Sequence, residues 1–341
     1  MDDTRQTVLQ HFLDGCGWGA AARRKLAGDA SSRRYERLTR NTGERAVLMD
    51  APPDKGEDVT PFVRIGTHLR SLGLSAPEIF AEDRENGFLL LEDLGDALFA
   101  RVAEADAAIE PDIYRAAVDL LCEMHTQPVP AGIGRYDAPL MTSLSALAFD
   151  WYLPAAKGKD PDAKAAFSAE FEPLLAEHAT GPEVLILRDF HAENLLWMPE
   201  RSGVARVGLL DFQDALAGHR SYDLISLLED ARRDVPEALR QELFDRYVEQ
   251  TGQDPQQFSA AAAVIAAQRN LRIVGVFARL CCRDGKAGYV DLLPRVWAHL
   301  MSDLSHPALS GVREFILDRL PPPDKTVRNR IKSACATPRM P

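Results

Sequence analysis

Residues 185–197 read LILRDFHAENLLW and residues 208–215 read GLLDFQDA, and these two stretches decide the fold. In the first, the apolar run Val184, Leu185, Ile186, Leu187 has the length and bounded flanks of a buried strand. It carries Asp189 just past its end, and Asn194 stands five residues further on. In the second, apolar residues 207–210 deliver Asp211 in the same way. Turn-like residues 198–205 are expected to let the runs at 184–187 and 207–210 pair as a hairpin with both acids at one end. Two strand ends that each carry a carboxylate into a loop, with an amide beside the first, suit phosphoryl transfer. Asp189 would take the proton of an attacking hydroxyl, while Asp211 and the amide oxygen of Asn194 would hold Mg2+, a hard cation that prefers oxygen ligands. The alternative is a pair of surface acids and an N-capping Asn.

The pattern Arg188-Asp189-x-x-x-x-Asn194 followed by Asp211-Phe212 resembles the catalytic and metal-binding loops of the protein-kinase-like superfamily. The resemblance implies a bilobal α+β fold with ATP and Mg2+ bound between the lobes. A small antiparallel-sheet lobe is expected over residues 1–93 and a larger, mainly helical lobe over residues 94–320. His191 stands where protein kinases place a lysine near the transferred phosphoryl group, and a histidine there is similar to the small-molecule kinases of the superfamily. It would either donate a hydrogen bond to the γ-phosphate or brace the loop.

Composition narrows the setting. The 341 residues carry a net charge of −11, which argues against a general nucleic-acid or anionic-membrane surface, because counterion release needs clustered Lys and Arg. Five cysteines, Cys16, Cys122, Cys281, Cys282 and Cys335, lack CxxC spacing, so reduced thiols are expected and a zinc site is not. The first residues, MDDTRQTVLQ, are acidic and polar where a secretory signal is basic and then apolar. The apolar stretch at 260–280 is interrupted by Gln268, Arg269, Asn270, Arg272 and Arg279, which suits a buried helix and not a membrane span. A cytoplasmic location is expected, with a small-molecule substrate. Oligomeric state is left open.

In the first third, Gly28-Asp29-Ala30-Ser31-Ser32 sits between expected strands, where small residues and hydroxyls can approach a phosphate. A plain hairpin turn is the other reading. The strand AVLMD at 46–50 ends with Met49 at the position where kinases carry the phosphate-binding lysine. The following helix has Thr60 as N-cap, Pro61 at its first position, an apolar face at Phe62, Ile65, Leu69 and Leu72, and Gly73 as its stop. It holds no acid, so both members of the usual Lys–Glu pair are absent. Arg33, Arg34, Lys55 and Arg64 are the candidate replacement cations, with Arg34 favoured, and each also reads as an ordinary solvated base. Residues 87–95, GFLLLEDLG, resemble the inter-lobe hinge, where the main chain of Glu92 and Leu94 would read the adenine edge.

The remainder is helical in pattern. Ile113, Ala117, Leu120, Leu121 and Met124 form a stripe that ends at His125, which reads as structural. Trp151 and Tyr152 read as core. Asp223 opens a helix, and the resemblance implies a buried brace near the catalytic loop. Asp234, Pro236 and Glu237 suggest a capping arrangement. Arg269, Asn270 and Arg272 need partners, either structural or in the acceptor pocket. Asp214, His219 and Arg272 are the candidates for touching the acceptor. Residues 321–341, rich in Pro and basic residues, are expected to be a disordered tail.

Taken more narrowly, GDASSRRY, AVLMDAPP, LRDFHAENLLW and LLDFQDALAGHRSYDLISLLEDARRD resemble the bacterial N-acetylmuramate and N-acetylglucosamine anomeric kinases of cell-wall sugar recycling, within the aminoglycoside-phosphotransferase branch. The similarity spans residues 20–320. It implies an ATP-dependent kinase acting on an anomeric hydroxyl, feeding UDP-sugar precursors. Two alternatives stay open: a kinase for another hydroxyl, of aminoglycoside or choline type, and a catalytically silent kinase-like regulatory protein, which Met49 suggests.

Overall fold

A computed structural model describes residues 3–26 and 32–336. The chain begins α1 (Asp3–Gly15), β1 (Ala22–Lys25), β2 (Arg34–Thr39), β3 (Arg45–Asp50), α2 (Thr60–Ser71), β4 (Ile79–Asp83), β5 (Phe88–Glu92), α3 (Phe99–Ala105) and α4 (Glu110–Met124). It continues α5 (Ala138–Ser145), α6 (Leu153–Ala156), α7 (Ala163–His178), β6 (Val184–Ile186), β7 (Leu195–Trp197), β8 (Val207–Leu209) and β9 (Leu216–Gly218). The last third is helical: α8 (Ser221–Leu228), α9 (Glu237–Thr251), α10 (Pro255–Cys282), α11 (Leu293–Asp303), α12 (Ser310–Arg319) and α13 (Lys325–Ser333).

The chain divides into two compact units, Met1–Leu120 with Ala192–Ala215, and Leu121–His191 with Leu216–Pro341. These bounds differ from the expected ranges 1–93 and 94–320. Contiguous sequence cannot reveal that a short stretch, 192–215, returns to the first unit.

In the first unit, β1 to β5 form one antiparallel sheet in the order β1-β2-β3-β5-β4. Strand alternation sends Leu38, Ala46, Leu48, Phe88 and Leu90 into a core with Leu9, Leu13 and Trp18. Tyr35 and Met49, which face each other across β2 and β3, therefore belong to the opposite face. Gly87 is required where it stands. Its φ is +73°, and a Cβ there would lie 2.0 Å from the Ala51 carbonyl oxygen.

Helix α2 buries Phe62, Val63, Ile65, Gly66 and Leu69, as the periodicity predicts. Its cap differs from expectation: Asp58 Oδ1 accepts the Thr60 N–H at 2.8 Å, so the acid two residues earlier serves in place of Thr60. That bond, with a second to the Thr60 side chain, holds the Asp58 carboxyl below the usual range. Gly73, at φ +77°, follows the helix as predicted.

Strand pairing corrects the expected hairpin. A hairpin does close through residues 198–206, but it joins β8 to β7, with Leu195 opposite Leu209 and Trp197 opposite Val207. β6 pairs instead with β9, in the second unit. Three-residue strands buried on both faces show no alternation from which a partner could be read.

In the second unit the 28-residue α10 is the organising element, and it is mostly buried although long and apolar enough to cross a membrane. It packs on a π-helical turn at Ala148–Tyr152. Gly275 permits the approach: a Cβ there would lie 2.3 Å from the Leu147 carbonyl carbon and 2.5 Å from the Ala148 nitrogen. Tyr152 is fully buried, as expected of core, and Trp151 packs partly buried against the same cluster. His125 is structural as read, with Nδ1 2.7 Å from the Tyr247 hydroxyl. The capping arrangement expected at Asp234 does not form. Pro236 occupies the cap position of α9 without a side-chain bond, and Asp234 pairs with Arg295 at 2.6 Å.

The tail expectation is also corrected. Residues 325–333 form α13, capped by Asp324 Oδ1, which accepts the Val327 N–H at 2.8 Å. Ile331 is fully buried, which is worth about 1.5–3 kcal/mol. The Tyr152 hydroxyl also donates to the Pro321 carbonyl at 2.6 Å. One buried anchor and one cap order a segment whose composition reads as solvated. Residues 337–341 lie outside the described residues.

Candidate active site

The β7–β8 hairpin sets Asn194 and Asp211 at one end of a two-stranded ladder, because Asn194 precedes β7 and Asp211 follows β8. The Leu210 N–H donates to the Asn194 carbonyl at 3.0 Å and extends the ladder to that end. Asp211 has φ 55°, a left-handed conformation uncommon for a side chain with a Cβ, and Gln213 Nε2 donates to its Oδ1 at 2.7 Å. Phe212 is fully buried against Phe62 of α2, with ring centroids 4.7 Å apart. Gly66 makes room, since a Cβ there would come within 3.2 Å of the Phe212 ring. The Asp211-Phe212-Gln213 turn is thereby pinned on the helix through its one apolar side chain.

Asn194 and Asp211 line a cavity of about 420 Å3 within the first unit. Its apolar lining includes Val47, Leu91, Leu94, Leu196 and Leu210, and its charged lining includes Glu193, Arg37 and Arg101. A cavity lined by aliphatic side chains together with carboxylate, amide and guanidinium groups suits a heterocycle carrying an anionic tail with a cation. The donor set also fits Mg2+. One carboxylate and one amide oxygen at a hairpin end leave the other positions of a hard octahedral ion for water or phosphate oxygens. Among the described residues no group of three or more His, Cys, Asp or Glu could hold a metal, so a softer or all-protein site is not built here.

The expected nucleotide residues are placed unevenly. Gly28, Asp29, Ala30 and Ser31 lie outside the described residues. The Ser32 N–H donates to Glu57 Oε1 at 2.9 Å, and Arg33 pairs with the same carboxylate at 2.9 Å. Met49 is fully buried. Arg34 is opposite Asp50 in the register, and Asp50 accepts from Arg5 of α1 at 2.9 Å, so Arg34 shares the α1 face. This placement counts against Arg34 as the replacement cation, since Tyr35 and Arg37, its neighbours by alternation, are the residues that line the cavity. Glu92 and Leu94 both line it. The Glu92 N–H is already given to the Glu78 carbonyl at 2.8 Å, and its carboxylate pairs with Arg201 at 2.6 Å.

Sequence reasoning missed Arg37. Its buried guanidinium forks onto Asp93, with Nε 2.8 Å from Oδ2 and Nη2 2.8 Å from Oδ1, while Nη1 reaches Asp96 at 2.7 Å. It thus ties residues 93–96, which edge the cavity, to β2. The hydrogen bonds from Arg37 hold the Asp96 carboxyl below its ordinary range. The available signal was alternation: Arg37 lies two residues from Tyr35, with Asp93 and Asp96 at the end of β5.

Asp189 and His191 belong to the second unit. Arg188, just before Asp189, has φ 72° and, with Asp211, makes the pair of non-glycine residues with positive φ among those described. Such conformations cost of order 1–3 kcal/mol and persist when their surroundings over-determine them. Here Asp223 does so, its carboxylate accepting the N–H groups of Leu187 at 2.6 Å and Arg188 at 2.9 Å. Ser226 Oγ donates to the Arg188 carbonyl at 3.3 Å and itself accepts from Arg269 at 3.0 Å. Burial pushes the Asp223 carboxyl up to about 7, against the pull of the two N–H bonds. The predicted brace is present, and Arg269 extends it.

His191 is buried, and desolvation lowers it to about 4, with the charges of Asp230 and Asp189 opposing the shift. It is therefore a neutral imidazole at pH 7. Asp214 is exposed and in the first unit. His219 bonds through Nδ1 to Ser221 Oγ at 2.9 Å and lines a separate cavity of about 260 Å3 in the second unit. Arg272 Nη1 donates to the Tyr222 hydroxyl at 3.1 Å. Asn270 is structural, bridging Glu229 at 2.7 Å and Asp303 at 2.8 Å.

The N-acetylmuramate/N-acetylglucosamine kinase of Caulobacter vibrioides is 37% identical, over 94% of this chain and 98% of its own. The protein of the same name from Pseudomonas aeruginosa is 33% identical, over 92% and 97%. Among solved structures, the choline kinase of Streptococcus pneumoniae superposes with a TM-score of 0.60 at 13% identity, covering 88% of this chain and all (100%) of that one, which shows a shared kinase-like α+β fold. The profile of the phosphotransferase enzyme family matches residues 23–260. By that match and by its relatives, the chain belongs to the phosphotransferase enzyme family.

Proposed function

We propose that the protein is an ATP-dependent sugar kinase that phosphorylates the anomeric hydroxyl of N-acetylmuramate, N-acetylglucosamine or both, in recycling of cell-wall sugars toward UDP-sugar precursors. The observation that carries this reading is the near full-length relationship to two kinases named for those sugars. Kinases of cationic alcohols share the fold at a much lower identity, which speaks to architecture and not to acceptor. A catalytically silent protein is disfavoured because Asp189, Asn194 and Asp211 are all retained.

In this reading Asp189 accepts the proton of the sugar hydroxyl. The hydroxyl oxygen forms its bond to the γ-phosphorus of ATP as the bond from that phosphorus to the bridging oxygen breaks, and ADP leaves. Positioning by a general base is worth about 10²–10⁴-fold. Asn194 and Asp211 would hold Mg2+, which when bound neutralises charge on the phosphates. The aliphatic walls around Leu91, Leu94 and Leu196 support adenine binding in the first-unit cavity. With the Glu92 N–H engaged in the sheet, adenine recognition falls to the Glu92 carbonyl and the main chain of Leu94. His191, neutral and enclosed, braces the loop that carries Asp189. Its small-molecule partners are ATP and the sugar, and a cytoplasmic setting fits both.

The test is ATP consumption against a panel of amino sugars, aminoglycosides and choline, with 31P NMR of the product. A sugar 1-phosphate formed from an N-acetylated amino sugar supports the reading. Turnover confined to the cationic acceptors would replace it.

A further inference from the structure

Helix α10 carries several polar side chains in a largely apolar surface, and two of them, Arg269 and Arg272, differ in how they are satisfied. Arg269 is used up by the Glu229 carbonyl at 3.1 Å and Ser226 Oγ at 3.0 Å. Arg272, three residues on, is half-buried, and among the described residues its hydrogen-bond partner is the neutral Tyr222 hydroxyl. A cation at that depth is costly to leave against a neutral group and gains most from an anion.

The surroundings point to where that anion would come from. The Tyr222 ring packs edge-on to Tyr136, with centroids 5.0 Å apart. The Tyr136 hydroxyl donates to Gln268 at 3.3 Å, and Arg188 lies over the Tyr136 ring at 5.5 Å. Asp189 is among the groups whose charge Arg272 feels. The guanidinium is thus within electrostatic range of the carboxylate assigned above to take the acceptor's proton, on a frame of two rigid aromatic rings. An acceptor whose hydroxyl meets Asp189 would bring its other substituents toward Arg272.

The two sugars in the relatives' names differ in one respect that a guanidinium can read: N-acetylmuramate bears a carboxylate and N-acetylglucosamine does not. We infer that Arg272 is the specificity-determining residue that recognises an acceptor carboxylate, so that it sets the preference for N-acetylmuramate over N-acetylglucosamine. The inference rests on the function proposed above.

The experiment compares kcat/KM for both sugars, and for the neutral carboxamide of N-acetylmuramate, in the unaltered protein and in Arg272→Gln and Arg272→Lys. Loss of a charge-assisted bond predicts a drop on the order of 10–100-fold for N-acetylmuramate in Arg272→Gln, a smaller drop in Arg272→Lys, and N-acetylglucosamine within about threefold. The unaltered protein should disfavour the carboxamide by about the same factor, and Arg272→Gln should not distinguish it from the acid. The carboxamide comparison needs no variant to fold. Equal kcat/KM for acid and carboxamide in the unaltered protein, or equal losses on both sugars in a folded variant, would overturn the assignment while leaving the kinase reading intact. Failure of the unaltered protein to phosphorylate either sugar would remove the function and this assignment together.

Discussion

Asp223 Oδ1 accepts the backbone N–H of Arg188 at 2.9 Å, and so fixes in a left-handed conformation the residue that precedes Asp189. The other oxygen takes the Leu187 N–H at 2.6 Å. Both carboxylate oxygens are needed, because an amide in this place would turn an N–H against one of the two donors. Asp223→Asn is therefore expected to cost about 1–3 kcal/mol of stability and to lower kcat by at least about 10-fold, with nucleotide affinity little changed. Thermal melts and steady-state kinetics check this, and wild-type kcat in the variant would separate the brace from catalysis.

Asp211 is held at the hairpin end by Gln213 and by the docked Phe212. Asp211→Asn keeps the shape and removes one negative oxygen, so the Mg2+ concentration giving half-maximal activity should rise at least about 10-fold, with melting temperature nearly unchanged. An unaltered Mg2+ titration would take Asp211 out of the metal site.

Gly275 lets α10 meet the backbone at Leu147 and Ala148. Gly275→Ala would normally stabilise a helix interior by about 0.5–1 kcal/mol. Here a methyl group would press on backbone atoms that have nowhere to go, and overpacking of about 1–3 kcal/mol should win. Urea unfolding reads the sign directly. A more stable variant would show that the two elements separate easily.

His125 is buried beside Tyr247, and burial pushes its imidazole down to about 3 from an ordinary value near 6.5. A folded-state value below the unfolded one means that the contribution is complete above pH 6.5 and lost as pH falls toward the folded value, since the unfolded chain binds the proton first. The loss is at most about 1.4 kcal/mol per pH unit in that window. His125→Gln lacks this titration. Its stability deficit relative to wild type, measured by urea unfolding, should be largest near pH 7.5 and narrow steadily toward pH 4.5, whereas a constant gap would contradict the burial argument.

The sequence made particular parts of this molecule legible. β3, α2, β5 and the Asp223 brace follow from apolar periodicity, a Gly stop and motif spacing, and each stands where expected. The partner of β6 did not follow, because three buried residues fit either neighbour equally well. Arg34 follows the small-residue turn in sequence, but only register reveals that it shares a face with Asp50. Arg37 and its grip on Asp93 and Asp96 join residues 56 or more positions apart, which spacing rules do not reach. α13 was hidden by composition, since one buried Ile331 and an Asp324 cap order a stretch of otherwise polar residues.

The central claim is that Asp189 takes the proton from a sugar hydroxyl in an ATP-dependent transfer. Its most direct test is single-turnover phosphorylation of N-acetylmuramate and N-acetylglucosamine by wild type and Asp189→Asn, with ATP affinity measured in parallel. The account predicts a sugar 1-phosphate from wild type, a rate constant at least about 10²-fold lower in the variant, and unchanged ATP binding. A variant that transfers phosphate at near the wild-type rate would contradict it.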